Sequence, residues 1–203
     1  MTAPVVGVVL AGGSARRMSG AEKASLDLDG QSLLERVVSR IAPQVSALLL
    51  NANGDPSRFD DIGLPVEADS CADGLGPLAG LLTGMDWARR MHPACEWLLS
   101  VPVDTPFLPV DLAKRLSDAR EMESAEVALA VSGERLHPVV GLWPVAHADE
   151  LRHALESENL RKVDRWTGRF RVAEVAYDCI PVDPFFNINT PSDLEAAEAF
   201  LGS

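Results

Sequence analysis

Three runs, 5–10, 47–50 and 97–101, are almost wholly apolar where an ordinary half-wet strand would alternate. An unbroken run of that length belongs to a strand covered on both faces, the arrangement of a parallel sheet with a layer of helix on each side. The intervening stretches have helical period. In "SLLERVVSRIAP", Leu33, Leu34, Val37, Val38 and Ile41 fall on one face, and Ser32 and Glu35 have the spacing of a capping box. In "GPLAGLLTGMDWARR", Leu78, Leu81, Leu82 and Met85 share a face, with Pro77 at a first-turn position. The alternation predicts a doubly wound α/β fold: a mostly parallel sheet with helices on both faces, its ligand beyond the carboxyl ends of the strands.

The rest of the chain continues the pattern. A third helix is predicted over 109–119, strands over 127–131, 139–143 and 170–175, and a last helix opened by Thr190, Pro191 and Asp193 as cap, first turn and box partner. With no repeat, linker or low-complexity stretch, the 203 residues are expected to form one domain over 1–203. No apolar run approaches the ~20 residues of a membrane span. The N-terminus lacks a basic region before its apolar stretch, so a cytoplasmic protein is expected. Cys71, Cys95 and Cys179 are odd in number and form no C-x-x-C pair, which predicts reduced thiols used for packing. A net charge of -12 argues against a nucleic-acid surface but leaves room for a small phosphorylated ligand held by a local basic cluster.

Such a cluster follows the first run. In "VVLAGGSARRMSGAEKAS" two glycines bring the backbone close to a ligand, and Arg16, Arg17 and Lys23 supply charge. Neither G-x-G-x-x-G nor the Walker pattern fits, because Ala21 and Glu22 separate Gly20 from Lys23. In "VPVDTPFLP", Asp104 stands just past a buried strand, on the same sheet edge as the basic loop. One hard carboxylate there suits Mg²⁺, which keeps water and substrate phosphate as its other ligands; a plain turn with Thr105 is the alternative. In "FFNINTPSDL", Asn187 and Asn189 alternate on an extended segment and could point the same way, donating to phosphate or accepting from metal-bound water.

Together these segments resemble the molybdenum cofactor guanylyltransferases, nucleotidyltransferases whose loop reads L-A-G-G-x-x-x-R-M followed shortly by Lys. The resemblance runs nearly end to end: "LAGGSARRM" with Lys23, "NANGD", "EADSCADGLGPLAG", "PVDTPFLP", "HPVVGLW" and "NINTPSDL". Ser19 stands where the family usually has Gly, and Glu22 where Asp often precedes the Lys. The resemblance implies transfer of GMP from Mg·GTP to the terminal phosphate of molybdopterin. It implies GTP contacts from Leu10, Ala11, Gly12, Gly13, Lys23, Asn51, Asp69 and Asp104, with Asp104 holding Mg²⁺. Lys23, Asp104 and Arg17 would carry catalysis, and His137, Asn187 and Asn189 would lie nearer the pterin. Transient contacts with cofactor-synthesis proteins and recipient apoenzymes are also implied, but no nucleic acid and no membrane. Other readings stay open: a nucleotidyltransferase using CTP or a sugar or isoprenoid phosphate, which typically reads L-A-A-G where this chain has Gly12, or a non-catalytic pterin carrier, which would need neither Lys23 nor Asp104.

Overall fold

The computed structural model describes residues 4–12, 23–71 and 75–202. Strand β1 (Val5–Leu10) is followed by a small ribbon, β2 (Asp27–Leu28) and β3 (Gln31–Ser32), and by helix α1 (Leu33–Ile41). Then come β4 (Ala47–Asn51), β5 (Val66–Glu67), α2 (Pro77–Met91), β6 (Trp97–Pro102), α3 (Leu112–Met122), β7 (Val127–Ser132) and β8 (Arg135–Pro144). The chain closes with α4 (Ala148–Glu156), α5 (Val163–Thr167), β9 (Val172–Tyr177) and α6 (Pro191–Leu201). Seven strands form one sheet in the order β5-β4-β1-β6-β8-β7-β9. Every pairing is parallel except those of β8, which runs antiparallel to β6 and β7.

The unbroken apolar runs follow from two cores. Along β1, Val9 faces one core with Leu34 and Val37 of α1 and Leu112 and Leu116 of α3. Val6 and Val8 face the other, with Leu78, Leu82 and Met85 of α2 and Leu151 and Leu155 of α4. Strands β4 and β6 divide in the same way, so alternate residues point into opposite cores and none can be polar without cost. Helix caps follow the sequence. Ser32 and Glu35 close a capping box on α1, and Thr190 and Asp193 close one on α6.

Four expectations need correction. The strand predicted over 170–175 runs from Val172 to Tyr177. The strand predicted over 139–143 begins at Arg135, because β7 and β8 form a hairpin through Gly133, whose φ of 57° suits the two-residue turn. The third helix starts at Leu112, where Gln44 Oε1 accepts from Ala113 N at 2.9 Å and so takes up one of the free donors of its first turn. Cys179 is exposed and so not a packing residue, whereas Cys95 is buried and the half-buried Cys71 packs against the same core. Helices α4 and α5 were not expected at all. Among the described residues, no helix is long and apolar enough to cross a membrane.

Candidate functional site

Because β1, β4 and β6 are parallel neighbours in register, with Leu10 beside Asn51 and Pro102, their carboxyl ends open onto one edge of the sheet. β8 runs the other way, which brings its first residues to that same edge. Between them lies a cavity of about 610 Å³. Leu10, Ala11, Gly12, Asn51, Asn53 and Asp69 line one part of it, Lys23, Asp104 and Asn187 another, and residues 135–140 supply the β8 wall.

In the first part, Asn51 is buried and its Nδ2 donates to Asp69 Oδ1 at 2.9 Å, while Asn53 Nδ2 donates to Asp69 Oδ2 at 2.9 Å. Asn53 Oδ1 also accepts from Asp69 N at 2.9 Å. The carboxylate is thereby fixed in plane, able to accept from a ligand with two adjacent N–H donors. Asn51 is seated by α2. A Cβ at Gly80 would come within 2.2 Å of Asn51 Oδ1 and 2.6 Å of Leu10 Cδ2, so only glycine lets the helix lie that close. A Cβ at Gly12 would meet Asn51 Oδ1 only at 3.7 Å, so among the described residues nothing requires that side to be bare.

Lys23 Nζ donates to Asp104 Oδ2 at 2.8 Å and also to Asn189 Oδ1, while Asn187 Nδ2 donates to Asp104 Oδ1 at 2.8 Å. The alternation in "NIN" is what brings both amides to the pair. Ile188 between them is fully buried against Leu28, Leu33, Phe107 and Ala197, and its N–H donates to the Asp104 carbonyl at 2.9 Å. The next turn is anchored by Asp193, whose carboxyl is held below the usual carboxylate range by the Asn189 N–H and by Thr190. Val103 and Asp104 lie in a turn, which the Thr105 hydroxyl braces by donating to the Pro102 carbonyl at 2.9 Å.

In the β8 wall, pairing with β7 jumps from Leu129 opposite Gly141 to Ala130 opposite His137. Pro138 has no N–H for the ladder, and residues 138–140 bulge into the cavity. The bulge is pinned from behind: Ser100 Oγ donates to the Val139 carbonyl at 2.7 Å and accepts from Trp143 Nε1 at 2.9 Å. His137 shares a 2.7 Å hydrogen bond with Ser132 Oγ and packs against Phe185. Burial lowers its pKa; Asp183 pulls it back up, and Arg135 adds to the lowering.

A family model described as the MobA-like NTP transferase domain matches residues 7–172. The chain belongs to that family. Among curated MobA-like relatives, it is 51% identical over 195 residues to a molybdenum cofactor guanylyltransferase of Nitrobacter hamburgensis, covering 96% of this chain and 93% of that one. It is 44% identical to one of Mesorhizobium japonicum, covering 100% and 99%. A solved structure, molybdopterin-guanine dinucleotide biosynthesis protein A from Archaeoglobus fulgidus, superposes with a TM-score of 0.73 at 26% identity over 98% of each chain. The 4-diphosphocytidyl-2C-methyl-D-erythritol synthase of Anaerococcus prevotii shares the fold, with a TM-score of 0.74 at 12% identity, 98% coverage of this chain and 96% of that one.

Of the site residues predicted from sequence, Leu10, Ala11, Gly12, Lys23, Asn51, Asp69, Asp104, His137 and Asn187 line the one cavity, and Asn189 reaches it through Lys23. Gly13 and Arg17 lie outside the described residues, as do Ser19 and Glu22. Asn53 was missed, although "NAN" has the same alternation as "NIN". The donor set also bears on a divalent metal. Among the described residues no three His, Cys, Asp or Glu side chains converge. One carboxylate, Asp104, beside an asparagine, does not make a closed protein cage, but it fits an ion whose remaining ligands are phosphate and water. Taking such an ion would draw Asp104 Oδ2 away from Lys23.

Proposed function

We propose that this nucleotidyltransferase moves GMP from Mg·GTP to the terminal phosphate of molybdopterin, giving the guanine dinucleotide and pyrophosphate. The observation that carries the reading is that Asn51, Asn53 and Asp69, the Lys23–Asp104 pair and the β8 wall all line one cavity. Guanine has adjacent N1–H and N2–H donors, and the fixed Asp69 carboxylate supplies two acceptors for them, whereas cytosine offers no such donor pair. Leu10 to Gly12 pass along the nucleotide, and Asn51 holds Asp69 in place. Asn187, Asn189 and His137 belong to the acceptor side.

An oxygen of the acceptor's phosphate attacks the α-phosphorus; the bond to the bridging oxygen of pyrophosphate breaks, and its electron pair leaves with pyrophosphate. The nucleophile is already ionised, so no base is needed and it carries no proton for His137 to take. The protein's work is positioning and charge neutralisation. Lys23, together with Arg17, meets negative charge moving onto the leaving group. Asp104 orients Lys23 until the nucleotide arrives. Asp104 would hold the Mg²⁺ that arrives with GTP, which would supply electrostatic stabilisation of the phosphates.

The test is pyrophosphate release by the purified protein. Release is expected with GTP only when molybdopterin is present, and kcat/KM for CTP should be lower by roughly 10-fold or more. Equal rates with CTP, or release that ignores molybdopterin, would overturn the reading.

A further inference from the structure

Four described charged side chains line the cavity: Lys23, Asp69, Asp104 and Arg135. Three are engaged with neighbours, Lys23 with Asp104 and Asn189, and Asp69 with Asn51 and Asn53. Arg135 makes no side-chain hydrogen bond or ion pair to any other described residue, although most arginines of this acidic chain are engaged, among them Arg36, Arg89, Arg152 and Arg169. Its backbone is nevertheless fixed. It is the first residue of β8, pairs with Ser132 across the two-residue turn, and precedes the pinned bulge. Its charge also reaches His137 in the same wall. Beside it Leu136, Pro138, Val139 and Val140 form an apolar surface, so this wall offers an uncommitted guanidinium at one end of a face suited to a flat ring.

We infer that Arg135 anchors the acceptor, its guanidinium binding the phosphate of a phosphomonoester whose ring system lies on the β8 wall. Guanidinium is the side chain best shaped for a phosphate, through two parallel N–H···O bonds. At an exposed position it needs little desolvation to stand ready, and it binds the acceptor without touching the guanine end. The assignment rests on the guanylyl-transfer reading and adds to it the residue that holds the second substrate.

The experiment compares wild type with Arg135→Gln and Arg135→Lys, measuring KM for molybdopterin and GTP separately, retention of molybdopterin by equilibrium filtration without GTP, and thermal melting. Loss of a charge-assisted bidentate contact should raise the molybdopterin KM by about 10- to 100-fold. The GTP KM should stay within about 2-fold and the melting temperature should not move. Arg135→Lys should recover part of the loss, because it keeps the charge and loses the fork. Filtration should show the same order of binding. An unchanged molybdopterin KM, or an equal rise in both KM values, overturns the anchor while guanylyl transfer stands. A wild type that retains molybdopterin through Arg135 but transfers no GMP overturns the transfer reading and leaves the anchor; a wild type that retains none overturns both.

Discussion

Both carboxylate oxygens of Asp104 are occupied, one by the Lys23 ammonium and one by the Asn187 amide, each at 2.8 Å. The arrangement holds the Asp104 carboxylate in a defined place. Asp104→Asn keeps the shape and removes the charge. We expect kcat to fall about 100-fold or more, the scale of losing a principal electrostatic stabiliser, while melting moves by only a few degrees because the side chain is partly exposed. Steady-state kinetics and a thermal melt check both halves, and activity within about 5-fold of wild type would remove Asp104 from the reaction. The pairing of Asn187 and Asn189 was legible from sequence because a residue and its second neighbour point the same way on extended chain. Arg135 was not, since an arginine near a turn looks the same whether it meets solvent or substrate.

Element by element, the site depends on how closely α2 lies on β1 and β4. Alanine at Gly80 gains helix propensity worth about 1 kcal/mol. Against that, its methyl would sit 2.2 Å from Asn51 Oδ1, and overpacking of that kind costs about 1 to 3 kcal/mol. Gly80→Ala should therefore lower the melting temperature by a few degrees and raise the GTP KM several-fold as Asn51 shifts from Asp69. A more stable protein with unchanged KM would show that the helix has room to move. The buried strands and capped helices were legible because two-sided burial and capping boxes leave local marks. The β8 hairpin was read short for a physical reason. Its first half is a bulged strand that faces a cavity, so "RLHPVV" lacks both the alternation of a half-wet strand and the apolar run of a buried one. Helix α4 carries its apolar residues at Ala148, Leu151, Ala154 and Leu155, but in only nine residues they make a short signal between two strands.

At the scale of the molecule, one antiparallel strand decides what the parallel sheet can do. A doubly wound sheet already offers a nucleotide site beyond its strand ends. Reversing β8 places the start of a strand, with its bulge and Arg135, at the same edge, and the cavity gains a second wall. The two substrates are expected to occupy opposite ends of the cavity and to meet at Lys23 and Asp104. A crystal structure with GTP and Mg²⁺ bound tests this arrangement most directly. It should show guanine against Asn51, Asn53 and Asp69, the metal on Asp104 with Lys23 drawn onto the phosphates, and the β8 wall still free. Guanine resting on residues 135–140, or a nucleotide bound with Asp104 still paired to Lys23 and no metal on it, would contradict the account.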